Sequence, residues 1–214
     1  NASTTPWDEE VLDAMLPVLK DGFGNPSSIH SYGRKIKSLI ERARKNIAKH
    51  INCSPGEIFF TSGGTEAENM FIINTVREKK MDTIITSKVE HHAVLHCCDY
   101  LNKTQNINIK YVSINDNGEV DLDDLEKITS NNKNALVSLM HGNNEIGNIN
   151  DLKTISKICE KNNVIFHSDT VQTVGHYAID LNKINIQGIV GSAHKFHGPK
   201  AVSYTHLRAH ETIA

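Results

Sequence analysis

Along this chain, short apolar or β-branched runs alternate with longer stretches whose apolar positions recur every three or four residues. The first spacing belongs to strands and the second to one face of a helix. Residues 8–19 carry apolar side chains at helical spacing behind Asp8, Glu9 and Glu10, where the helix dipole favours acids. Pro17 is expected to kink or shorten that helix. Turn residues make 23–28 a loop. Over 32–51, Ile36, Leu39, Ile40, Ala43, Ile47 and Ile51 form one face of a long amphipathic helix with a basic outer surface. Strands are then expected at 57–61, 83–86, 107–112, 135–140, 164–167 and 186–190. Helices are expected at 66–78, 91–101, 121–128 (capped by Asp121) and 151–160, with a turn at Asn115-Asp116-Asn117-Gly118. This order predicts an α/β fold, a mainly parallel sheet covered by helices, in which ligands sit at the carboxyl ends of the strands.

The pattern fails near the end. After Gly198-Pro199-Lys200 a strand is due, but apolar alternation stops at Ala201, and Val202 to Thr212 resembles a translated adapter or vector sequence. Residues 201–214 are therefore set aside from the fold as a non-native tail; a native polar terminus is the alternative.

Composition narrows the classes. At 214 residues, 38% hydrophobic and 22% charged, the chain holds enough apolar sequence for one large domain or a domain and a half. A formal net charge of -2 leaves no basic surplus for nucleic acid. No apolar stretch is long enough to span a bilayer, and no secretory signal opens the sequence. Cys53, Cys97, Cys98 and Cys159 are scattered without a CxxC, which fits reduced, cytoplasmic usage and buried small hydrophobes.

The candidate chemistry falls at strand-to-helix junctions. Lys195 stands among small residues, a histidine and a Gly-Pro turn, an arrangement suited to holding an amine that forms a Schiff base with an aldehyde cofactor. Burial and the neighbouring His194 and Lys200 lower the pKa of such an amine, although a single lysine is ordinarily a surface residue. Ser62-Gly63-Gly64-Thr65 opens a helix whose free N–H groups suit an anion, or is simply a structural turn. Asp169 closes an apolar run, where a carboxylate needs a partner such as a protonated pyridine nitrogen; helix N-cap is the other reading. His91, at another junction, is placed to stack on a flat ring and carry protons. His92 and His96 lie four apart, but without HExxH or a third ligand no metal is expected. No Walker pattern, GxGxxG or GxSxG is present. Together these residues read as a site for pyridoxal 5'-phosphate (PLP).

Seven motifs, in order, resemble a known family: Asn1-Ala2-Ser3-Thr4-Thr5-Pro6, Phe23-Gly24-Asn25-Pro26-Ser27-Ser28, Phe60-Thr61-Ser62-Gly63-Gly64-Thr65-Glu66, Glu90-His91-His92-Ala93-Val94, Met140-His141-Gly142-Asn143-Asn144-Glu145-Ile146-Gly147, His167-Ser168-Asp169-Thr170-Val171-Gln172 and Ser192-Ala193-His194-Lys195. They are similar to the class V aminotransferase-like cysteine desulfurases of the NifS/IscS group, from residue 1 to about 200. The resemblance implies the large domain of the PLP-dependent transferase fold type I. Residues 1–6 would be an N-terminal segment on the small-domain side and 7–200 a truncated PLP-binding domain, with the C-terminal small domain missing. It implies a homodimeric transferase that converts L-cysteine to L-alanine and passes sulfur, as an enzyme persulfide, to an acceptor protein for iron–sulfur cluster or thionucleoside synthesis.

By motif, Lys195 would be the Schiff-base lysine, His91 the stacked and catalytic histidine, and Asp169 the partner of the pyridine nitrogen. Gln172 and Asn144 would approach the phenolic oxygen, while Gly64, Thr65, Ser192 and His194 surround the phosphate. Asn25 and Ser27 would border the site. The family's sulfur-accepting cysteine and carboxylate-gripping arginine fall beyond the lysine motif, in the other half of such a chain, so this piece by itself is expected to be inactive. Two other readings stand beside it. One is another class V PLP enzyme, a selenocysteine lyase or an aminotransferase. The other is a non-catalytic binding module that kept the fold.

Overall fold

The computed structural model describes residues 2–200 and 202–207. Asn1, Ala201 and residues 208–214 of the tail lie outside the described residues. In chain order the elements are α1 (Glu9–Asp21), α2 (Ser31–Ile51), β1 (Ile58–Thr61), α3 (Gly64–Glu78), β2 (Thr83–Thr86), α4 (His92–Gln105), β3 (Asn108–Tyr111), α5 (Leu122–Asn131), β4 (Ala135–Ser138), α6 (Leu152–Asn162), β5 (Ile165–Asp169), β6 (Gly188–Ser192) and β7 (Ser203–Leu207).

The strands form one sheet in the order β1-β7-β6-β5-β4-β2-β3. β3, β2, β4, β5 and β6 pair in parallel, and β7 runs antiparallel to both β1 and β6. Neighbouring residues of a strand serve opposite layers, as the period of two requires. Ile84 and Leu136 pack with α3 and α4 (Phe71, Ile72, Val94, Leu101), whereas Ile85 and Val137 pack with α5 and α6 (Leu125, Leu152, Ile155). Burial on both faces explains why β2 and β4 are wholly buried and apolar or β-branched throughout except at Ser138, the last residue of β4.

Helix starts follow local chemistry. Asp8, Asp121 and Asp151 each accept a backbone N–H in the first turn of α1, α5 and α6. His91 caps α4 by the same device, with Nδ1 accepting from Ala93 N at 3.1 Å. Asn52, Asn106 and Asn163 close α2, α4 and α6 in the left-handed region, which asparagine tolerates.

The structure departs from the sequence pattern in two places. Helix α1 runs through Pro17 to Asp21 without being shortened. Its interior proline forfeits one backbone bond, and because no residue of α1 is buried, water is at hand for the orphaned carbonyl. The second departure is β7. Residues 203–207, within the stretch set aside from the fold, form a strand between β1 and β6. Ser203, Tyr204, Thr205 and His206 are all buried there, and Ser203 Oγ bonds Ser192 Oγ at 2.8 Å. Backbone pairing on both edges replaces the apolar alternation that the sequence lacks.

Candidate active site

The carboxyl ends of the parallel strands converge on a cleft of about 550 Å³. β1 leads into Gly64 and Thr65, β2 into His91, and β4 into Asn144. β5 ends on Asp169 with Gln172 beyond, and β6 ends on Ser192 with His194 and Lys195 in the turn that follows. All nine residues singled out from the sequence as catalytic or cofactor-binding line this one cleft. Ala2, Ser3, Glu68, Ala93, Met140, Glu145 and Val171 complete its wall. Asn25 and Ser27, by contrast, form a local turn, Ser27 N to Asn25 Oδ1 at 2.9 Å, and are not among the lining residues.

Each position has a local cause. Gly63, the N-cap of α3, has an extended backbone, and the helix starts at Gly64, two residues before the apolar pattern suggests. A side chain on Gly64 would come within 3.5 Å of Val171 and 4.0 Å of Ser192. The α3 N-terminus thus stands at ordinary contact distance from Val171 and Ser192, and its first N–H groups offer an anion-binding end. Ser192 accepts from Ser203 and keeps its own proton free to donate. Asn143 ties the 141–148 turn, with Nδ2 on Val89 O at 2.8 Å and Oδ1 accepting from Glu145 N and Ile146 N, which sets Asn144 at the cleft wall.

Lys195 is held in a short 3-10 turn (Ala193–Lys195). Its carbonyl lies 2.9 Å from His176 Nε2, and its Nζ donates to Ala2 O, which also accepts from Gln172 Nε2 at 2.9 Å. Thr5 N donates to His194 O at 2.9 Å and Asp8 N to His197 O at 3.0 Å, so the N-terminal segment is laced along the lysine turn. Burial holds the Lys195 amine below the ordinary lysine range, against the pull of Asp169. His194 is likewise lowered, first by burial and then by Lys195 and Lys200.

Asp169 is 6% exposed. Burial raises its pKa, while the Val171 N–H on Oδ1 (2.9 Å), His91 and Lys195 act the other way. Among the described residues no hydrogen bond reaches its second oxygen. The N-cap reading therefore holds only for one short local bond, from Val171 N to Oδ1. With Nδ1 of His91 accepting, the neutral ring carries its proton on Nε2.

The sequence reading missed Glu68, a buried acid in the cleft wall, and the closing of the cleft by Ala2. Glu68 was detectable as a charged residue in register with Ala67, Phe71 and Ile72 on the buried face of α3. Of the cysteines, Cys97, Cys98 and Cys159 are buried, Cys53 is half-buried, and burial raises all four thiols above their ordinary range. None of them lines the cleft. Away from it, Cys53, Glu57 and His206 bring one potential ligand atom each within 4.8 Å of one another, a grouping the sequence did not suggest.

The sequence pattern of the aminotransferase class-V family matches residues 1–211. The chain belongs to that family. Among relatives of this class-V chain, the cysteine desulfurase IscS of Dictyoglomus turgidum is 47% identical over 209 residues, which are 97% of this chain and 52% of the relative. A solved NifS-like protein superposes with a TM-score of 0.91 at 39% identity, covering 97% of this chain and 57% of that one. A second structure, described as SspA in complex with cysteine, has the same TM-score at 30% identity and covers 97% of this chain and 60% of that one. The class-V chain thus spans about half the length of the relatives it matches, and its fold is the PLP-dependent transferase fold type I of those NifS-like structures.

Proposed function

We propose that this chain is the cofactor-binding half of a PLP-dependent cysteine desulfurase. The carrying observation is the pairing, within one cleft, of a lysine whose amine is lowered by burial with a buried aspartate that keeps one oxygen unbonded. That donor set fits PLP, which presents an aldehyde, a basic ring nitrogen and a phosphate. When bound, the cofactor supplies an electron sink for a bond broken at the substrate α-carbon. The residues do the rest. Lys195 would tether the aldehyde, and its amine, when free, would be the base placed to take the α-proton. Asp169 would keep the ring nitrogen protonated. Gly64, Thr65, Ser192 and His194 would receive the phosphate, and Asn144 and Gln172 the phenolic edge. His91 would face the ring and offer a proton from Nε2.

L-cysteine is the proposed substrate and L-alanine the product, with sulfur leaving on a cysteine thiolate for an acceptor protein that serves cluster or thionucleoside synthesis. The relatives carry about as much chain again beyond the matched half, and we assign to that part the nucleophilic cysteine and the arginine for the substrate carboxylate. A homodimer and a cytoplasmic setting belong to the same reading, the second supported by four free cysteines. Among the described residues no helix is long and apolar enough to cross a membrane.

For organisation, we propose residues 7–200 as the large domain and 1–6 as a segment leading to a small domain. Residues 201–214 remain a proposed foreign tail. Four adjacent buried polar or amphipathic side chains in β7 fit a segment not selected for the slot it fills. Assayed at full natural length with PLP and a thiol, the protein should form alanine from L-cysteine in step with sulfide. Transamination without sulfide would reject desulfuration in favour of an aminotransferase; selectivity for selenocysteine would favour a lyase.

A further inference from the structure

Glu68 lies in the second turn of α3, on the face that carries Ala67, Phe71 and Ile72 into the core. It is 1% exposed, yet it forms part of the cleft wall. Neither carboxyl oxygen completes a hydrogen bond. His167 Nε2 lies 3.2 Å from Oε2 and completes no hydrogen bond either. His167 precedes Asp169 by two residues on β5, so both face the α3 side of the sheet. Its ring stacks on Phe71 at 4.6 Å between centroids, and its Nδ1 is 3.0 Å from Ser138 Oγ.

Glu68, Glu90 and Asp169 are three buried carboxyls that feel one another's charge. They cannot all ionise in a dry volume. Asp169 alone among them has His91 and Lys195 acting in favour of its charge, together with a backbone N–H. Glu90 has the Ser87 hydroxyl at 2.7 Å and a backbone bond to Met140. Glu68 has only an imidazole, and burial keeps that ring neutral, with its pKa lowered to about 3. A neutral imidazole next to an acid is an acceptor when the acid keeps its proton.

We propose that Glu68 is a positioning residue that holds its proton at neutral pH, donates it in a hydrogen bond to His167 Nε2, and so leaves the negative charge of the cleft to Asp169. The chain of bonds is then consistent in direction. Glu68 O–H donates to His167 Nε2, and His167 Nδ1–H donates to Ser138 Oγ. The other titratable groups facing Glu68 do not compete for its proton. Cys97 and Cys98 of α4 are held as neutral thiols by burial, and Lys195 and His91 act on Asp169. The inference rests on the PLP reading only in its consequence, that Asp169 rather than Glu68 meets the ring nitrogen.

The test uses this chain without cofactor. In long-range proton–nitrogen spectra of histidine-labelled protein, His167 should show a protonated Nδ1 and a bare Nε2. The opposite tautomer would mean an ionised Glu68 accepting from Nε2–H and would overturn the proposal. Infrared difference spectra at neutral pH should lose one protonated-carboxyl carbonyl band in Glu68→Gln; loss of an ionised-carboxylate band instead would also overturn it. If Glu68→Gln does not fold, the tautomer of the unmutated chain decides alone. Adding PLP should then make Asp169→Asn lose an ionised-carboxylate band that Glu68→Gln keeps. Failure of PLP to bind would count against the proposed function and leave the tautomer result standing.

Discussion

Two lysine–aspartate pairings in this chain answer to opposite forces. At the surface, Lys183 Nζ meets Asp180 Oδ2 at 2.8 Å, the aspartate pKa is lowered, the lysine pKa is raised, and both changes favour the charged forms. In the cleft, Asp169 and Lys195 attract each other as well, but burial outweighs the attraction, raising the acid and lowering the amine. Water screens the first pair and supports its charges, so the pair contributes little to the fold. The second pair is shielded from water, Asp169 almost wholly and Lys195 in part, and is open to a ligand that completes it. Residue type alone does not separate the two; position at the carboxyl end of a buried strand does.

The contrast can be broken most severely at the acid. Asp169→Asn keeps the shape and removes the charge, so PLP affinity should fall roughly 10- to 100-fold, the loss of one charge-assisted bond. Fluorescence titration with PLP measures it, and unchanged affinity would mean that Asp169 does not face the ring nitrogen.

A smaller effect reads the burial itself. Glu90 has its pKa raised from 4.5 to about 8, so the folded chain binds a proton that the unfolded chain has lost. Stability from this group should fall as pH rises from 4.5 to 8. His167, lowered from 6.5 to about 3, works in the opposite sense below pH 6.5 and is silent above it. The window in which His167 is silent is therefore pH 6.5 to 8, and the comparison with Glu90→Gln separates Glu90 there from the other raised carboxyls. Thermal melts there should show a declining midpoint that Glu90→Gln makes shallower. An equal slope in both proteins would place Glu90 in contact with solvent.

How much of this was legible in the sequence follows from which signals are local. Apolar period and acid caps locate α5 and α6 closely, because Asp121 and Asp151 announce the first turn and burial fixes the face. The strand-end residues of the cleft are legible for the same reason: in a parallel sheet each junction faces the same edge. Glu68 was legible only as a charge interrupting the apolar stripe of α3; its role depends on the opposing His167 and Asp169, which no local signal supplies. β7 was not legible either, because its burial comes from pairing on two edges rather than from side-chain alternation. Pro17 does not shorten α1, because the rule against interior proline weakens on a helix that buries nothing.

The account stands on Lys195 as the covalent anchor. PLP added to the chain, followed by borohydride reduction and peptide mass analysis, should place the pyridoxyl group on Lys195. The longer-wavelength absorbance of the bound cofactor should vanish in Lys195→Ala and persist in Lys183→Ala. A label spread over surface lysines, or an absorbance that Lys195→Ala leaves intact, would contradict it.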